Sequence, residues 1–520
     1  MEFFNVTRSQ TFFSNPLLEA YYKGKSLRSF HSFTPDTDGV KNAINSKSNF
    51  SKKRRDNLVQ DLYLQYSEAG IDLTKSNAVK NNIDKLKASN TFTITTGQQI
   101  HIGLGPLYVL YKIFDVIAIS KQLSDQYADK HFIPFFWMAT EDHDLDEIAS
   151  VNYYGNQIKW ETNQSGAVGR MNTKGVGKMF HKLIETQRFS KDKKEFLNRA
   201  AQIYDQSQNL SIAFRKLLHE YLGDTGLIIL DPDRKLLKSS FTSVMIDELN
   251  HTNKVAIQET TNQLKKSGFK KQLRIKPCNL FLLQKNDRIR IDSLCDISNE
   301  NPADFVRNNF ENLSPNAALR PLYQEWILPN VCCVLGSGEL NYWLQLKGLF
   351  ENYEMPMPSL HVRTSCVMMP HKLQKEFFDD NSINWFENEE AIALKQNHKL
   401  SSIRELHDKK LSSIKSSIAA YDQEISKSFK GFNLKNKWTK LLDRLNDIEQ
   451  LVEKQWLNKI SNSAELKRVM KIKKTYFNPV AIQERQEHLC VHSELLVIEH
   501  HGIERNFGYS ASQRVVLIFS

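Results

Sequence analysis

Cysteine is scarce in this chain, and the way it is spaced narrows the protein's class. Six cysteines occur in 520 residues, and no two form a CxxC pair. A zinc ribbon and a thioredoxin-type motif are therefore excluded. The adjacent Cys332 and Cys333 sit inside an apolar run and read as buried small hydrophobes. Gly 20 and Pro 14 are too few for a collagen-like or low-complexity chain. No stretch of about 18 or more consecutive apolar residues occurs, so no membrane-spanning helix is expected. The opening MEFFNVTRSQTFF lacks a basic leader followed by an apolar stretch. A soluble cytoplasmic protein with reduced thiols is the expectation. Neither a GxxxxGK[ST] phosphate loop nor a clean GxGxxG fingerprint is present.

What remains is ordinary globular composition with a basic surplus. Lys+Arg 70 against Asp+Glu 59 gives a net charge of +11. That surplus suits nucleic acid, and equally suits anionic small substrates such as nucleotide phosphates. The length suggests roughly two to four domains. Residues 1–90 read as mostly helical, with a basic cluster at Lys52, Lys53, Arg54 and Arg55 that reads as a solvated helix face. From Thr91 the texture changes. TFTITT is β-rich, GQQIHIGLGP is a glycine-punctuated loop, LYVLYKIFDVIAISKQL has helical apolar spacing, and HFIPFFWMAT is a continuous apolar run. Strand, loop, helix and strand in that order make a βαβ unit with a parallel sheet.

Residues 150–205 read as a polar, irregular insertion. A helix at 207–222 leads into GLIILDPD, a second buried strand. LFLLQKNDRIRIDS reads as a hairpin turning at Asn286 and Asp287, and VCCVLGSGE repeats the strand-then-glycine-loop pattern at 331–339. Leu411, Ile414, Ile418, Tyr421 and Ile425 alternate spacings of three and four, as do Trp438, Leu441, Leu445, Ile448 and Val452. Two such runs joined by a short glycine-containing loop read as an antiparallel coiled-coil hairpin. The expected fold class is α/β. Its domains are a helical region at 1–90, a parallel-sheet core at 91–385 with insertions at about 150–205 and 240–315, the hairpin at 386–462, and a segment at 463–520 that returns to the core.

Three segments could carry chemistry. The first runs from Gly97, Gln98 and Gln99 through Gly105 to Tyr108, leaving a strand and entering a helix. Glycines let backbone approach a ligand, and the first helical N–H groups favour an anion. A tight structural turn is the other reading, but two glutamines at a strand's carboxyl end favour a site. His101, Ile102 and Gly103 match three letters of the HIGH signature, with Leu104 in the fourth place, and read as a chance match. The second segment is Glu141, Asp142, His143 and Asp144, followed by Asp146 and Glu147. Carboxylates flanking one imidazole could hold an ammonium group, a divalent ion or a general base. Acidic residues also favour a helix's first turn, which accounts for Asp146 and Glu147 better than for Glu141 to His143. No second histidine stands at helical spacing, so no tightly bound metal is expected. The third segment is SPNAALRPL with Asn316 and Arg320, followed by Gly338 and Glu339. Arg320 could clamp a carboxylate or phosphate through two bonds. Tyr342 and Trp343 read as core.

Together these segments resemble the family of cysteine-adding enzymes of bacillithiol synthesis, BshC. The matching strings are TGQQ at 96–99, GPLYVLYK at 105–112, FWMATEDHDLDEI at 136–148, SPNAALRPL at 314–322 and GSGELNYWLQLK at 336–347. They fall in the family's order over most of the chain. The resemblance implies a nucleotidyltransferase-like Rossmann core, related in shape to class I aminoacyl-tRNA synthetases, and a coiled-coil element used for homodimerisation. The implied reaction is a ligase step joining L-cysteine to the amine of glucosaminyl-malate. ATP, with or without Mg2+, is the expected cofactor, acting through an acyl-adenylate or acyl-phosphate. On the same basis Gly97, Gln98, Gln99 and Gly105 shape a pocket for an anionic group. Asp142, His143 and Asp144 orient the substrate amine or sugar hydroxyls, with His143 the proton acceptor. Arg320 and Glu339 complete the pocket, and Tyr108, Glu141, Asn316 and Gly338 bind substrate or nucleotide.

This chain departs from the family in two loops. It has Gly103-Leu104-Gly105-Pro106 where the family carries a Phe-Thr-Gly-Pro type sequence, and GSGE in place of a GGPGE-type loop. The carboxy-terminal region matches least, apart from QER at 483–485. Two other readings compete: a synthetase-like enzyme acting on tRNA, and a non-catalytic nucleotide-binding coiled-coil scaffold. No KMSKS-like loop or basic–aromatic RNA-binding module occurs, so nucleic acid is not the expected partner. Nor is a membrane.

Overall fold

The computed structural model describes residues 1–24, 26–291, 301–374, 385–387, 398–428, 435–461, 464–497, 500–509 and 513–520. Cys295 and the loop expected between the two heptad-patterned runs lie outside the described residues. By internal contacts the chain forms two units. One is Phe3–Cys366 with Glu484–Leu517; the other is Val367–Gln483 with Met1–Glu2 and Ile518–Ser520.

The larger unit is built on five strands: β1 (Thr91–Gln98), β2 (His131–Met138), β3 (Ile228–Leu230), β4 (Asn330–Leu335) and β5 (Ser359–Val362). All neighbours pair parallel, in the order β3-β2-β1-β4-β5. This is the strand order of a Rossmann-like sheet. The apolar runs are explained by burial on both faces. Ile133, Phe135 and Trp137 alternate onto one core with Cys333 and Leu335. Phe132 joins Phe92, Ile94, Cys332 and Val334 on the other. Adjacent Cys332 and Cys333 thus point to opposite faces, as the strand period of two requires, and both are buried. The threonines of β1 are buried too, and Thr93 and Thr95 donate to Asn330 Oδ1 at 3.3 and 2.9 Å.

Four helices matter for the site: α1 (Leu107–Gln126) between β1 and β2, α2 (Leu210–Leu222) before β3, α3 (Arg320–Ile327) before β4, and α4 (Ser337–Leu344) after it. Three local readings need correction. The 150–205 region is ordered rather than irregular. It holds a hairpin, Ser150–Tyr153 with Asn156–Lys159, and helices Val176–Thr186 and Lys191–Asp205. Their buried faces, such as Val176, Met179, Phe180 and Leu183, were masked by the Gly, Asn and Lys around them. The second hairpin turns one residue earlier than expected, at Lys285 and Asn286, because Gln284 pairs with Asp287. The basic cluster at 52–55 is not wholly solvated. Arg55 is buried and donates to Leu86 O and Thr91 O at 3.1 and 2.9 Å, while Arg54 lies 3.9 Å over the Trp326 ring.

In the smaller unit two long helices, α5 (His398–Ser428) and α6 (Lys435–Ser461), run antiparallel. Tyr421 meets Trp438 edge-on at 6.1 Å and Lys415 pairs with Glu449 at 3.1 Å. Among the described residues no helix is long and apolar enough to cross a membrane.

α1 is buried on nearly every side, including the polar Asp115. That carboxylate accepts from Thr364 N at 2.6 Å, Thr364 Oγ1 at 2.7 Å and Gly508 N at 2.8 Å, tying α1 to the chain after β5 and to the carboxy-terminal segment. Burial pushes the Asp115 carboxyl up to about 6, against partial relief from these bonds. A carboxyl raised on folding adds stability that is full below its ordinary value of 3.8 and is lost as pH rises through about 6. Melting curves at successive pH values test this. The parent should lose about 3 kcal/mol relative to Asp115→Asn between about pH 4 and pH 6. Parallel curves for the two proteins would refute it.

Candidate functional site

β1 and β4 are neighbours, but the chain leaves β1 through α1 towards β2 and leaves β4 through α4 towards β5, so the connections diverge. In such sheets a crevice opens at the carboxyl ends where the strand order reverses. A cavity of about 210 Å³ lies there. Gly97, Gln98 and Gln99 enter it from β1 and the residue after it, and Trp137, Ala139 and Asp142 from the end of β2. Cys333 and Leu335 enter from β4, Arg320 and Gln324 from α3, and Glu339 and Tyr342 from α4. The floor is therefore aromatic and aliphatic, and the rim is polar.

Asp142 is the electrostatic centre. Arg320 grips its carboxylate with both terminal nitrogens, one at 2.9 Å, and Arg288 adds a third bond at 3.0 Å. Gln99 donates a fourth at 2.8 Å. Burial pushes the Asp142 carboxyl up, but Arg320 and Arg288 outweigh it and hold it below the ordinary value. Local sequence sets both arginines. Asn316 accepts from Ala318 N and Leu319 N at 2.8 and 3.2 Å and donates to Asn279, fixing the turn that launches Arg320 at the head of α3. Arg288 comes from the hairpin Leu280–Gln284 and Asp287–Arg290. It lies 4.2 Å over the Phe281 ring and also donates to Ser314 Oγ.

A second cavity of about 470 Å³ shares Gln98, Glu147 and Glu339 with the first. It is otherwise lined by His101, Tyr108, Lys112, Gly336, Gly338 and Arg363, and by Arg485, Gln486 and His488 from the carboxy-terminal segment. Lys112, buried on α1, ties the two together. Its ammonium donates to Gly97 O and Gln98 Oε1 at 3.0 Å each and pairs with Glu339 at 2.5 Å. Glu339 in turn accepts from Gly336 N at 2.6 Å, capping α4. Gln98 donates to the Tyr108 hydroxyl at 3.0 Å. Gly105 takes φ +81°, and a Cβ there would meet His101 Cβ at 2.8 Å, so the loop requires glycine.

Of the residues singled out from sequence, Gly97, Gln98, Gln99, Asp142, Arg320 and Glu339 line the first cavity, and Tyr108, Gly338, Gln98 and Glu339 line the second. Others lie outside both linings. His143 and Asp144 are exposed at the edge, with His143 Nδ1 3.3 Å from Arg288 Nη1. Glu141 is buried, with Lys238 2.8 Å away; Lys238 also pairs with Asp233 at 2.6 Å. Burial raises the Glu141 carboxyl, with Lys238 opposing. Asn316 and Gly105 shape loops. Sequence reasoning singled out neither Lys112 nor Arg288, and set Glu147 aside as a first-turn acid. Lys112 did carry a signal, a lone cation inside the apolar GPLYVLYK string. Arg288 carried none without the hairpin's register.

A parallel sheet in this order, with a polar crevice at its reversal point, defines a Rossmann-like protein. Residues 1–364 match the family model described as "Bacillithiol biosynthesis BshC, N-terminal Rossmann-like domain". A relative from Flavobacterium psychrophilum is 32% identical over 496 residues, covering 91% of each chain. One from Flavobacterium johnsoniae is 33% identical, covering 90% of each, and one from Cytophaga hutchinsonii is 31% identical, covering 91%. All three bear the name "Putative cysteine ligase BshC". The chain belongs to the BshC family.

Removing the Asp142 carboxylate leaves two guanidinium groups side by side without their counter-charge. Breaking a buried pair in this way costs about 3–5 kcal/mol. Chemical denaturation of Asp142→Ala should show a loss of that order, with a smaller loss for Arg288→Gln. A change under about 1 kcal/mol in Asp142→Ala would show that the clamp does not hold the site together.

Proposed function

We propose that this protein is a ligase that joins L-cysteine to the amine of glucosaminyl-malate. The observation that carries the reading is the first cavity: small, floored by Trp137, Cys333 and Leu335, and rimmed by Gln98, Gln99, Glu147, Arg320 and Glu339, in a chain of the BshC family. At about 210 Å³ it is below the usual range of about 300–1,000 Å³ for ligand pockets, which favours a small amino acid. Gln99 Oε1 is buried there without a hydrogen-bond partner, and an α-ammonium group supplies one. The apolar floor suits a thiol-bearing side chain.

Amide formation from a free carboxylate needs activation, and ATP is the source we expect. The acceptor amine must lose a proton before it attacks the activated carbonyl. His143 was the expected acceptor from sequence. Its ring lies outside the lining of both cavities, so we assign the role to Glu147, which borders both. Burial raises the Glu147 carboxyl, with Asp144 and Asp142 adding to the effect, which brings a carboxylate base closer to working pH. Asp142 is fully engaged by Arg320, Arg288 and Gln99 and serves to position Arg320.

We also propose that α5 and α6 form a coiled coil through which two copies associate in the cytoplasm. Leu411 is buried, whereas Ile414, Tyr421, Leu441 and Ile448 remain 40–54% exposed at seven-residue intervals on α5 and α6. That stripe supports pairing with a second copy. Light scattering should give twice the chain mass, and Ile414→Glu with Ile448→Glu should halve it. A parent that runs at the single-chain mass would refute the dimer.

Mass spectrometry of the protein with ATP, L-cysteine and glucosaminyl-malate, omitting each in turn, tests the reaction. A new thiol that requires all three establishes the ligase, and no product from the complete mixture refutes it. In the same assay Glu147→Gln should lower turnover by about 100-fold, with His143→Ala within a few-fold of the parent. The reverse order would return the base role to His143.

A further inference from the structure

We propose that the second cavity is an oxyanion site completed by the carboxy-terminal return segment, with Arg485 as the cation, His101 Nε2 as a neutral donor and the first turn of α4 facing them. The identity of the anion rests on the ligase reading, but the site itself does not.

The argument begins with which charges are already spent. Lys112 is paired with Glu339 at 2.5 Å, and Arg363 with Glu484 at 2.9 and 2.5 Å. Arg485 lines the same cavity and has no side-chain hydrogen bond or ion pair among the described residues; the Glu147 carboxylate stands on the same lining but is not paired with it. The placement of Arg485 is nevertheless fixed on both sides. Glu484, next to it, is held by Arg363. Three residues on, His488 Nε2 bonds Ile102 O at 2.8 Å. Leu107 N donates to Glu487 O at 3.1 Å and Leu489 N to Gly105 O at 3.0 Å. The return segment is thus laced to the 102–107 loop.

An independent observation points to a ligand. His101 is 3% exposed and lines this cavity, yet its Nε2 is buried without a hydrogen-bond partner. The nearest carboxylate oxygen, Glu147 Oε1, is 3.9 Å away, too far to bond. Buried polar atoms are seldom left in that state unless a ligand or water completes them. Burial lowers the ring to about 4, with the Glu147 backbone carbonyl acting weakly against it, so the ring is uncharged near neutral pH, and the tautomer protonated at Nε2 offers an N–H to a ligand. Gly336 and Gly338 bring the first turn of α4 to the same cavity, and a side chain built on Gly338 would meet nothing within 4 Å. Gly336 N is already taken by Glu339, which leaves the amides of Ser337 and Gly338 in that first turn to favour an anion. Two oxyanions fit this chemistry: a nucleotide phosphate, and a carboxylate of the acidic acceptor.

Isothermal titration of the full-length chain at fixed ionic strength tests the site. The probes are ATP and pyrophosphate for the phosphate arm, glucosaminyl-malate and L-malate for the carboxylate arm, and L-cysteine as control. Arg485→Gln alters an exposed side chain and should leave the fold intact. It should weaken one arm by at least about tenfold, the loss expected for one charge-assisted bond, while L-cysteine binds as in the parent. The arm that weakens identifies the anion. Equal affinities in parent and variant for every anionic probe, or a parent that binds none, would overturn the proposal. Failure of the ligase reading would appear separately, as a missing thiol product with pyrophosphate or malate binding still sensitive to Arg485.

Discussion

Everything at this site depends on one constraint of parallel sheets: between β1 and β4 the connections diverge, and the carboxyl ends of those strands cannot be covered by a crossover helix. Backbone and side chains at that point must find partners in the crevice itself. The Lys112 ammonium binds Gly97 O and Gln98 Oε1 at the end of β1 and reaches across to Glu339 at the head of α4. One buried cation thereby bridges the gap that the topology leaves. Because Glu339 also caps α4 through Gly336 N, the position of that helix and the shape of the β1 end are linked.

The Asp142 clamp applies the same logic to distant segments. Arg320 sits at the start of α3, Arg288 on the hairpin of the 240–315 insertion, and Gln99 just after β1. None of these groups is worth burying alone, since desolvating an unpaired charge costs several kcal/mol. Together, two cations on one carboxylate leave a net positive edge beside the cavity. The insertion is therefore part of the site and not a decoration on it. Glu141, one residue earlier, belongs to a separate buried set with Lys238 and Asp233, which Arg170 extends through two bonds at 2.7 and 3.0 Å.

Much of this was legible in the sequence, and the parts that were not share a cause. Strands β1, β2 and β4 announce themselves as apolar or β-branched runs ending in glycine or polar residues, and α1 as an apolar helix. The TGQQ, ATEDHD, NAALR and GSGE strings do converge on one crevice. The failures arise where contact is set by register or by distance along the chain. Reading the hairpin turn one residue late shifts the register by two and sets Arg288 opposite Lys285, whereas it stands opposite Leu283, one step further from the turn. The helices at 176–186 and 191–205 hide their apolar faces among lysines and glycines. His143 looked central because it stands between acids, but Asp142 turns inward to the arginines and leaves its neighbour exposed. Charge density in a sequence does not say which side chain faces in.

The return segment shows the same limit from the other side. It lies beyond the N-terminal domain that the family model covers, which ends at residue 364. Even so, Glu484 neutralises Arg363, and the backbone from 487 to 489 is bonded to the loop that carries Gly103 and Gly105. That loop holds three successive residues at positive φ, Gly103 at 69°, Leu104 at 71° and Gly105 at 81°. For Leu104 such a backbone costs free energy, of order 1–3 kcal/mol where the surroundings enforce it. The enforcing contacts here are the His488 ring on Ile102 O and the Leu489 amide on Gly105 O. The strained loop and the distant segment are thus two halves of one structure, and the loop's shape cannot be derived from residues 96–108 alone.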